Sequence, residues 1–443
     1  MSARKRNKLP DQPVQAHIDS MTHEGRGVTR VDGKAVFVDG VLPGETVTFR
    51  YTRRSRRYDE GRVDQVLEAS NDRVEPRCPH FGVCGGCVLQ HMDPSAQVRA
   101  KEQAMLENLK HLGSVSPERV LTAITGPRWG YRRKARLGVK HVPKKGGVLV
   151  GFRERGSPYL AELEVCHVLH PAVGERIMEL RELLTAMQAR ERIPQIEVGV
   201  GDDDAVALVF RHLDPLTEED QERLKAFGQD HDLQIWLQPG GPDSITPLWP
   251  ESPADLCFTH PEESLRIPFS PVDFIQVNRD VNHRMVPQAM ELLQVAPEHG
   301  VLDLFCGLGN FTLPLARRAA RVTGVEGDAA MVERARENAV KNGIHNTRYF
   351  AADLSADLAG APWLSEPVDR VLLDPPRSGA REVLGPVAAL APERIVYVSC
   401  NPATLARDAG ELVREHGYRL EAAGVMDMFP HTAHVESMAV FSR

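Results

Sequence analysis

The stretch Val301-Leu302-Asp303-Leu304-Phe305-Cys306-Gly307-Leu308-Gly309-Asn310 decides the fold of this chain. Its apolar beginning predicts a buried strand, its two glycines predict a tight turn, and Phe311 to Arg318 predict the start of a helix. A strand, a glycine turn and a helix form the first unit of folds that bind nucleosides or dinucleotides. Because a lone G-x-G is a weak signal, the residues that follow it decide the interpretation.

Three further predicted strands follow, and each ends in a polar residue. The second ends at Glu326, 17 residues after Gly309, where a carboxylate can accept both hydroxyls of a ribose. The third ends at Asp353, a position suited to the amino group of adenine. The fourth, residues 371–373, leads into Asp374-Pro375-Pro376-Arg377. This succession predicts an α/β domain with a parallel, Rossmann-like sheet.

The length of the glycine turn distinguishes two cofactors. A nicotinamide cofactor would favour a longer G-x-G-x-x-G loop around its pyrophosphate, but no third glycine follows Gly309. A shorter loop is enough for S-adenosylmethionine, which has no pyrophosphate. The residues therefore favour a methyltransferase over a dehydrogenase.

A fifth predicted strand, Ile395 to Val398, ends in Ser399-Cys400-Asn401-Pro402. Ligands of open α/β sheets bind outside the carboxyl ends of the strands, so Cys400 is placed where a nucleophile would be useful. A cysteine is often only a small buried hydrophobe, but the predicted cofactor site upstream favours a catalytic role. Residues 418–425 and 435–441 are expected to complete the sheet as a hairpin.

Length and composition predict a water-soluble protein of two to four domains. The chain has 443 residues, of which 42% are hydrophobic and 26% charged. No apolar run approaches the roughly 18 residues that span a bilayer, and no apolar segment follows the basic residues 1–8. We therefore expect a cytoplasmic protein with no membrane partner, and no feature indicates an obligate protein partner.

Positive charge is concentrated in two segments of an acidic chain. The net charge is −7, yet residues 1–57 hold twelve Lys and Arg against six Asp and Glu. Residues 128–145 hold eight Lys and Arg and no acid, with Trp129 and Tyr131 among them. This pattern suits phosphate contacts and base stacking with RNA, or equally an amphipathic hairpin with a charged outer face.

The N-terminal part predicts a small β-barrel. Residues 1–13 are polar and basic and are expected to form a disordered lead-in. From 14 to 70, short apolar runs alternate with turn signals such as Asp32-Gly33 and Pro43-Gly44. Small closed barrels of this kind commonly bind RNA, although a purely structural role is the alternative.

Clustered cysteines predict a metal site. Cys78, Cys84 and Cys87 have the spacing C-x5-C-x2-C, and Cys166 could supply a fourth thiolate. Four thiolates suit either a [4Fe–4S] cluster or structural zinc. Zinc modules usually carry paired C-x2-4-C knuckles, so the lone upstream cysteine favours iron–sulfur. Radical methylation normally uses C-x3-C-x2-C with one iron open, and this spacing argues against it.

Several of these motifs together resemble the RNA 5-methyluridine methyltransferases. The resemblance is carried by Asp374-Pro375-Pro376-Arg377, by Ser399-Cys400-Asn401-Pro402, by the segment 429–436 ending in Glu436, and by Phe274-Ile275-Gln276-Val277-Asn278. It covers nearly the whole chain. It implies a class I methyltransferase domain over 286–443.

The resemblance also implies the other domains and the substrate. It implies a TRAM barrel, OB-like, over 14–70 and a central α+β domain over 71–285 that holds a [4Fe–4S] cluster. A TRAM domain combined with the cluster is similar to the branch of the family that acts on 23S ribosomal RNA. Alternatives are a tRNA uracil-C5 enzyme, an RNA cytosine-C5 enzyme and a non-catalytic RNA-binding metalloprotein.

Roles for individual residues follow from the resemblance. Cys400 would add to C6 of the target uracil, and Glu436 would remove the proton from C5 after methyl transfer. The cluster ligands would be Cys78, Cys84, Cys87 and Cys166. The residues that would bind S-adenosylmethionine are Gln276, Phe305, Asn310, Glu326, Asp353 and Asp374.

Overall fold

The computed structural model of the chain describes residues 9–10 and 12–443. The predicted disordered lead-in over 1–13 lies mostly outside the described residues. The chain divides into two compact units, and neither is a single contiguous segment. Unit 1 holds the residues up to Lys101 together with Arg153–Pro158 and Phe429–His434. Unit 2 holds Glu102–Phe152, Tyr159–Met428 and Val435–Arg443.

Unit 1 is built on one six-stranded sheet with the order β1-β5-β6-β4-β3-β2. Its neighbours pair antiparallel except β4 with β6. Alternate side chains of the strands face a common core that includes Ile18, Val36, Val38, Val47 and Phe49. Its strands are β1 (Val14–His17), β2 (Ser20–Met21), β3 (Gly27–Val31), β4 (Lys34–Asp39), β5 (Thr46–Arg54) and β6 (Asp59–Glu68).

The two edge strands of this sheet, β1 and β2, are consecutive in the chain. Only Ile18 and Asp19 separate them. The Ile18 amide donates to the carbonyl of Glu45 at 2.9 Å, and the Asp19 amide donates to that of Val28 at 2.9 Å. The same short segment therefore bonds toward both ends of the sheet.

A helix and two loops complete unit 1. Helix α1 (Pro94–Asn108) begins in unit 1 and continues into a π-helical turn, Leu109–Gly113. The Gln97 side chain is 1% exposed and donates to the carbonyls of Leu89 (3.0 Å) and Met92 (2.9 Å). It also accepts from the amide of His431 at 2.8 Å. Gln97 therefore joins the exit of the cysteine segment to residues 429–434.

The first half of unit 2 contains a mixed six-stranded sheet with the order β13-β12-β11-β10-β8-β9. Only β11 and β12 pair in parallel, and β14 and β15 form a separate hairpin. The strands of the six-stranded sheet are β8 (Lys134–Val142), β9 (Gly147–Gly151), β10 (Gln195–Val200), β11 (Val206–Arg211), β12 (Gln234–Gln238) and β13 (Thr246–Trp249). The hairpin is formed by β14 (Leu256–His260) and β15 (Leu265–Phe269), and β7 (Arg119–Val120) joins the second large sheet of unit 2. The helices are α2 (Pro171–Gly174), α3 (Ile177–Ala186) and α4 (Glu218–Asp230).

The second half of unit 2 is an eight-stranded sheet whose first five strands are parallel. The order is β18-β17-β16-β19-β20-β22-β21-β7, and β22 runs antiparallel between β20 and β21. The strands are β16 (Gly300–Leu304), β17 (Arg321–Glu326), β18 (Thr347–Ala351), β19 (Arg370–Leu373), β20 (Arg394–Ser399), β21 (Arg419–Met426) and β22 (Glu436–Ser442). The helices are α5 (Arg279–Leu293), α6 (Thr312–Ala316), α7 (Ala329–Lys341), α8 (Arg381–Ala389) and α9 (Pro402–Arg414).

This sheet confirms the α/β prediction and locates its crevice. Counted from β16, the strand order is 3-2-1-4-5-7-6, so the order reverses between β16 and β19. Ligands of open α/β sheets bind outside the carboxyl ends of the strands at such a reversal. Every residue of β16 and β19 is buried, which explains why both are continuous apolar runs apart from Asp303 and Arg370.

Across residues 9–10 and 12–443, helices of the length and apolarity required to cross a bilayer do not occur.

Candidate active site

Cys400 lies at the junction between β20 and α9. Ser399 ends the strand, and Pro402 is the first residue of the helix. The Asn401 side chain caps the helix by accepting from the amide of Ala403 at 3.1 Å. The half-buried thiol is thereby held between a buried strand and a helix N-terminus.

Glu436 lies on the neighbouring strand at the same edge of the sheet. Ser399 of β20 pairs with Ser437 of β22, and Glu436 is the first residue of β22. In an antiparallel pair, the next position outward places Cys400 opposite Glu436. The carboxylate of Glu436 also acts electrostatically on the thiol. The structure therefore brings the predicted nucleophile and the predicted base together.

The protein environment favours the neutral form of Cys400. Burial raises the pKa of the thiol to about 11, and the carboxylates of Glu436 and Asp374 act in the same direction. The guanidinium of Arg377 opposes them and lowers the pKa. Little thiolate is therefore present at neutral pH.

The loop after β19 lies against the start of α9. Asp374 follows the strand, and burial together with the Glu326 carboxylate raises its pKa to about 7. The Arg377 carbonyl accepts from the Asn401 side-chain amide at 3.0 Å and from the Thr404 hydroxyl at 3.3 Å. The loop that carries Asp374 and Arg377 is thus hydrogen-bonded to the first residues after Cys400.

The glycine turn after β16 has the geometry of a ligand-binding loop. Phe305 adopts φ +65°, a left-handed conformation that is uncommon for an aromatic residue and that concentrates at functional sites. Its amide donates to the carbonyl of Val325 at 2.8 Å, which anchors the loop to β17. Gly307 and Gly309 also have positive φ, and a Cβ on Gly307 would have only Met331 within 4 Å. The backbone at Gly307 is therefore open to a close ligand.

Two acidic residues end the neighbouring strands, with different surroundings. Glu326 ends β17, and its carboxylate accepts from the amides of Gly307 (3.1 Å) and Gly327 (2.7 Å), so it is fixed at the crevice. Asp353 follows β18, is exposed, and accepts from the amide (2.9 Å) and hydroxyl (2.6 Å) of Ser355. These bonds lower its pKa. The carboxylate oxygens of both residues can accept hydrogen bonds from hydroxyl or amino groups.

Asn310 and Gln276 depend on partners that sequence reasoning missed. The amides of Asn310 and Asn282 exchange two hydrogen bonds, each of 3.0 Å, and Asn282 is 2% exposed on α5. The Gln276 carbonyl accepts from Arg133 at 3.3 Å, and Arg133 forms a buried ion pair with Asp202. The only sequence signal for Asn282 is a polar residue among the apolar positions of a helix.

The core of the sheet below the glycine turn contains a second cysteine and a buried acid. Cys306 is 5% exposed, and burial raises the pKa of its thiol well above the usual range. Asp303 is fully buried in β16 and accepts from the Thr312 hydroxyl at 2.5 Å. Burial raises the pKa of Asp303 to about 8, so both groups are uncharged at neutral pH.

Part of the basic segment 128–145 forms ion pairs within the protein. Arg133, Lys134 and Arg136 form ion pairs with Asp202 and Glu197 inside unit 2. Tyr131 is 5% exposed, so the predicted base stacking by this ring is wrong. Residues 134–142 instead form β8, paired with β9, which agrees with the alternative of an amphipathic hairpin.

The predicted metal ligands lie in two different units. Cys78, Cys84 and Cys87 belong to unit 1 and Cys166 to unit 2. The Gly86 amide donates to the Cys84 sulfur at 3.4 Å, a type of bond that stabilises bound thiolates, so this segment suits a thiolate-bound group chemically. Within the described part of the chain, however, no three His, Cys, Asp or Glu side chains form a group that could hold a metal ion.

Comparisons with known proteins agree with the geometry of unit 2. Residues 264–443 match a family model described as tRNA (Uracil-5-)-methyltransferase. Two proteins named 23S rRNA (uracil(1939)-C(5))-methyltransferase RlmD are similar over the whole chain. One, from Alkalilimnicola ehrlichii, is 57% identical over 440 residues, which are 99% of each chain. The other, from Xanthomonas axonopodis pv. citri, is 53% identical over 444 residues and covers 100% of both.

A solved structure shares the fold. It is the tRNA (uracil-54, C5)-methyltransferase of Pyrococcus abyssi in complex with S-adenosyl-L-homocysteine, with a TM-score of 0.72 and 23% identity. The match covers 97% of this chain and 100% of that one.

Proposed function

The chain belongs to the family of the RlmD 23S rRNA (uracil-C5)-methyltransferases, and from this premise we propose how its own residues carry out the reaction. It is an S-adenosylmethionine-dependent enzyme that methylates C5 of a uracil in 23S ribosomal RNA. We propose that Cys400 is the nucleophile and Glu436 the base. The target is the uracil named for the relatives, position 1939.

The reaction requires a nucleophile because C5 of uracil is unreactive by itself. The Cys400 thiol loses its proton to solvent, its sulfur forms a bond to C6, and the electron pair of the C5–C6 double bond moves onto C5. S-adenosylmethionine supplies the electrophilic methyl group that C5 accepts. Glu436 then takes the proton from C5, the C5–C6 double bond reforms, and the bond to Cys400 breaks. The uracil has to leave its stack to reach the thiol.

The pairing of Ser399 with Ser437 is the observation that supports these two roles. It puts a thiol and a carboxylate on adjacent strands at the crevice edge. A base that removes the C5 proton must lie within hydrogen-bond reach of the ring that Cys400 holds. We propose that Asp374, whose pKa is raised to about 7, contacts the uracil or the cofactor.

The cofactor site comprises the predicted set around the reversal of strand order. Glu326 accepts hydrogen bonds from the ribose hydroxyls, and Asp353 accepts one from the amino group of adenine. The open backbone at Gly307 allows the ligand to approach closely. Phe305 lines the site in its left-handed conformation. Asn310 and Gln276 contribute polar contacts. Asn282 orients the side chain of Asn310, and Arg133 holds the main chain at Gln276.

The cysteine set is proposed to hold a [4Fe–4S] cluster with a structural role. Four thiolates suit the cluster, and methyl transfer needs no electrons. Cys78, Cys84 and Cys87 would supply three of them, and Cys166 the fourth. Iron analysis and an absorbance spectrum of anaerobically purified protein test this assignment. A colourless protein with one zinc per chain would replace it with a zinc site.

The N-terminal sheet is proposed to be a closed TRAM barrel over 14–70 that binds flanking RNA. The bonds of Ile18 and Asp19 toward opposite ends of the sheet support closure. On this proposal the central domain covers 71–285 and the methyltransferase domain 286–443. Arg53, Arg54, Arg56 and Arg57 supply phosphate contacts on the barrel, which predicts weaker RNA binding at high salt.

Trapping with fluorinated RNA tests the chemistry directly. Fluorine at C5 cannot leave as a proton, so RNA with 5-fluorouridine at the target should remain covalently bound to wild-type enzyme, and peptide mapping should find the adduct on Cys400. The Cys400→Ala variant is the matched control and should form no adduct. An adduct formed only with 5-fluorocytidine RNA would contradict uracil specificity.

A further inference from the structure

Asp408 is a fully buried carboxylate that the mechanism above does not use. It lies in α9, two turns after Cys400, and is 0% exposed. Its Oδ2 accepts from the Tyr397 hydroxyl at 2.7 Å and from the amide of Ala380 at 2.8 Å. Its Oδ1 accepts from Arg407 Nε at 2.7 Å. All of these partners are donors, so the site requires two acceptor oxygens.

These bonds connect three elements around the thiol. Tyr397 is in β20, three residues before Cys400, and Ala380 ends the loop that begins at Asp374. Asp408 itself belongs to the helix that starts just after Cys400. One carboxylate therefore joins the strand before the nucleophile, the helix after it and the neighbouring loop.

A second group of bonds holds the same loop to the same helix. Arg407 Nη2 donates to the Ser378 carbonyl at 2.9 Å. The side chains of Asn401 and Thr404 both donate to the Arg377 carbonyl. The approach at Gly379 is so close that a Cβ there would lie 2.5 Å from Arg407 Nη2 and 2.6 Å from Asp408 Oδ2. Successive residues of the loop, 377–380, are thus each fixed against α9.

We propose that Asp408 is a positioning residue, which holds residues 377–380 against α9 and so keeps Arg377 beside Cys400. Asp374 is held separately, because its amide donates to the Leu304 carbonyl at 3.3 Å. The inference rests on the proposed role of Cys400. The guanidinium of Arg377 lowers the pKa of the Cys400 thiol, against the carboxylates of Glu436 and Asp374. Because the Coulomb interaction falls with distance, a displaced loop weakens the effect of Arg377 on the thiol.

Alkylation of Cys400 by iodoacetamide, followed residue by residue with mass spectrometry, tests the proposal without methyl transfer. The Asp408→Asn variant has only one acceptor oxygen for three kinds of donor, so one contact must break. We expect the alkylation rate of Cys400 at pH 8 to fall by about three- to tenfold, since each unit of pKa changes the thiolate fraction about tenfold. The kcat for methylation should fall while the KM for RNA stays within about twofold.

Two reference variants give the result its meaning. Arg377→Met should lower the alkylation rate in the same way, and the double variant should react no more slowly than the slower single variant, because both changes remove one effect. Asp220→Asn is the matched control, since Asp220 is also 0% exposed and accepts from two amides at 2.9 Å, but in α4. It should leave the alkylation of Cys400 unchanged.

Specific outcomes overturn the proposal. Wild-type alkylation in Asp408→Asn, or effects of Asp408→Asn and Arg377→Met that multiply, would exclude positioning through Arg377. If Asp408→Asn does not fold, Thr404→Val decides, because it removes one hydroxyl bond to the Arg377 carbonyl and should slow alkylation by about twofold. Failure of the proposed function would be recognised separately, by methylation that persists in Cys400→Ala.

Discussion

Two cysteines follow strands of the same parallel sheet, and only one has the surroundings of a nucleophile. Cys306 lies two residues beyond β16 and is 5% exposed, and the acids Asp303 and Glu326 add to the effect of burial on its thiol. Cys400 lies one residue beyond β20, is half-buried, and has Arg377 acting against its neighbouring acids. A place at a strand end is therefore not sufficient for catalysis. Access and a nearby cation distinguish Cys400, the proposed nucleophile, from Cys306.

Replacement of each cysteine by alanine should give the largest difference in methylation activity. Cys400→Ala should lower methyl incorporation into unmethylated 23S rRNA by at least about 1,000-fold, because the covalent step is lost. Cys306→Ala removes only a small buried group and should remain within about threefold of wild type. Both are measured with radiolabelled S-adenosylmethionine. Equal losses in the two variants would abolish the distinction between the strand ends.

Removal of the Glu436 carboxylate should change both the turnover rate and the pKa of the Cys400 thiol. Glu436→Gln should lower turnover by about 100- to 10,000-fold, the usual contribution of a general base. Methylated RNA should then accumulate as a covalent adduct on Cys400, visible as a shifted band in a denaturing gel. The same change should lower the pKa of the thiol, because the carboxylate raises it. A variant that turns over slowly without accumulating adduct would assign the C5 proton to another group.

The pH dependence of alkylation should distinguish the two thiols in the unliganded enzyme. The pKa of Cys400 is raised to about 11, so its alkylation rate should rise about tenfold per pH unit from 7 to 9. Cys306 should stay unmodified over this range while the fold is intact. Quantitative peptide mapping checks both. A plateau for Cys400 below pH 8 would show that the thiolate is already stabilised without RNA.

The smallest expected effect is on the pH dependence of Tm and comes from the buried carboxyl of Asp303. The pKa of Asp303 is raised to about 8, so the stability that it contributes is complete below its ordinary pKa and is lost as the pH rises through about 8. Asp303→Asn cannot ionise and should lose roughly 2–4 °C less in Tm between pH 5 and 9 than wild type. Differential scanning calorimetry checks this. Parallel curves for both proteins would show that Asp303 ionises normally.

The strand ends of unit 2 could be predicted because their signals are local. Apolar runs that end at Glu326, Asp374 and Cys400 indicate buried parallel strands, and the carboxyl ends of such strands meet at one edge. The role of Glu436 followed from resemblance, but the pairing of β20 with β22, which places it opposite Cys400, was not predicted. The structure confirms the strands and their common edge.

Side-chain partners that are distant in sequence could not be predicted. Arg133 pairs with Asp202, 69 positions away, and Lys134 with Glu197, 63 positions away. A run of basic residues looks the same in sequence whether its charges face RNA or acids of another strand. Asp408 and Asn282 are similar cases, because only the fold shows which donors and acceptors surround them.

The bonds of Gln97 have a consequence for how the protein can be divided. Its side chain joins residues 89 and 92 to His431, which is 334 positions away, so unit 1 is assembled from distant parts of the sequence. An expression boundary after Lys101 would bury the Gln97 amide without His431, at a cost of about 1–3 kcal/mol for each lost partner. The two units are therefore not interchangeable modules, and a fragment or chimera has to carry the 429–434 segment to reproduce unit 1.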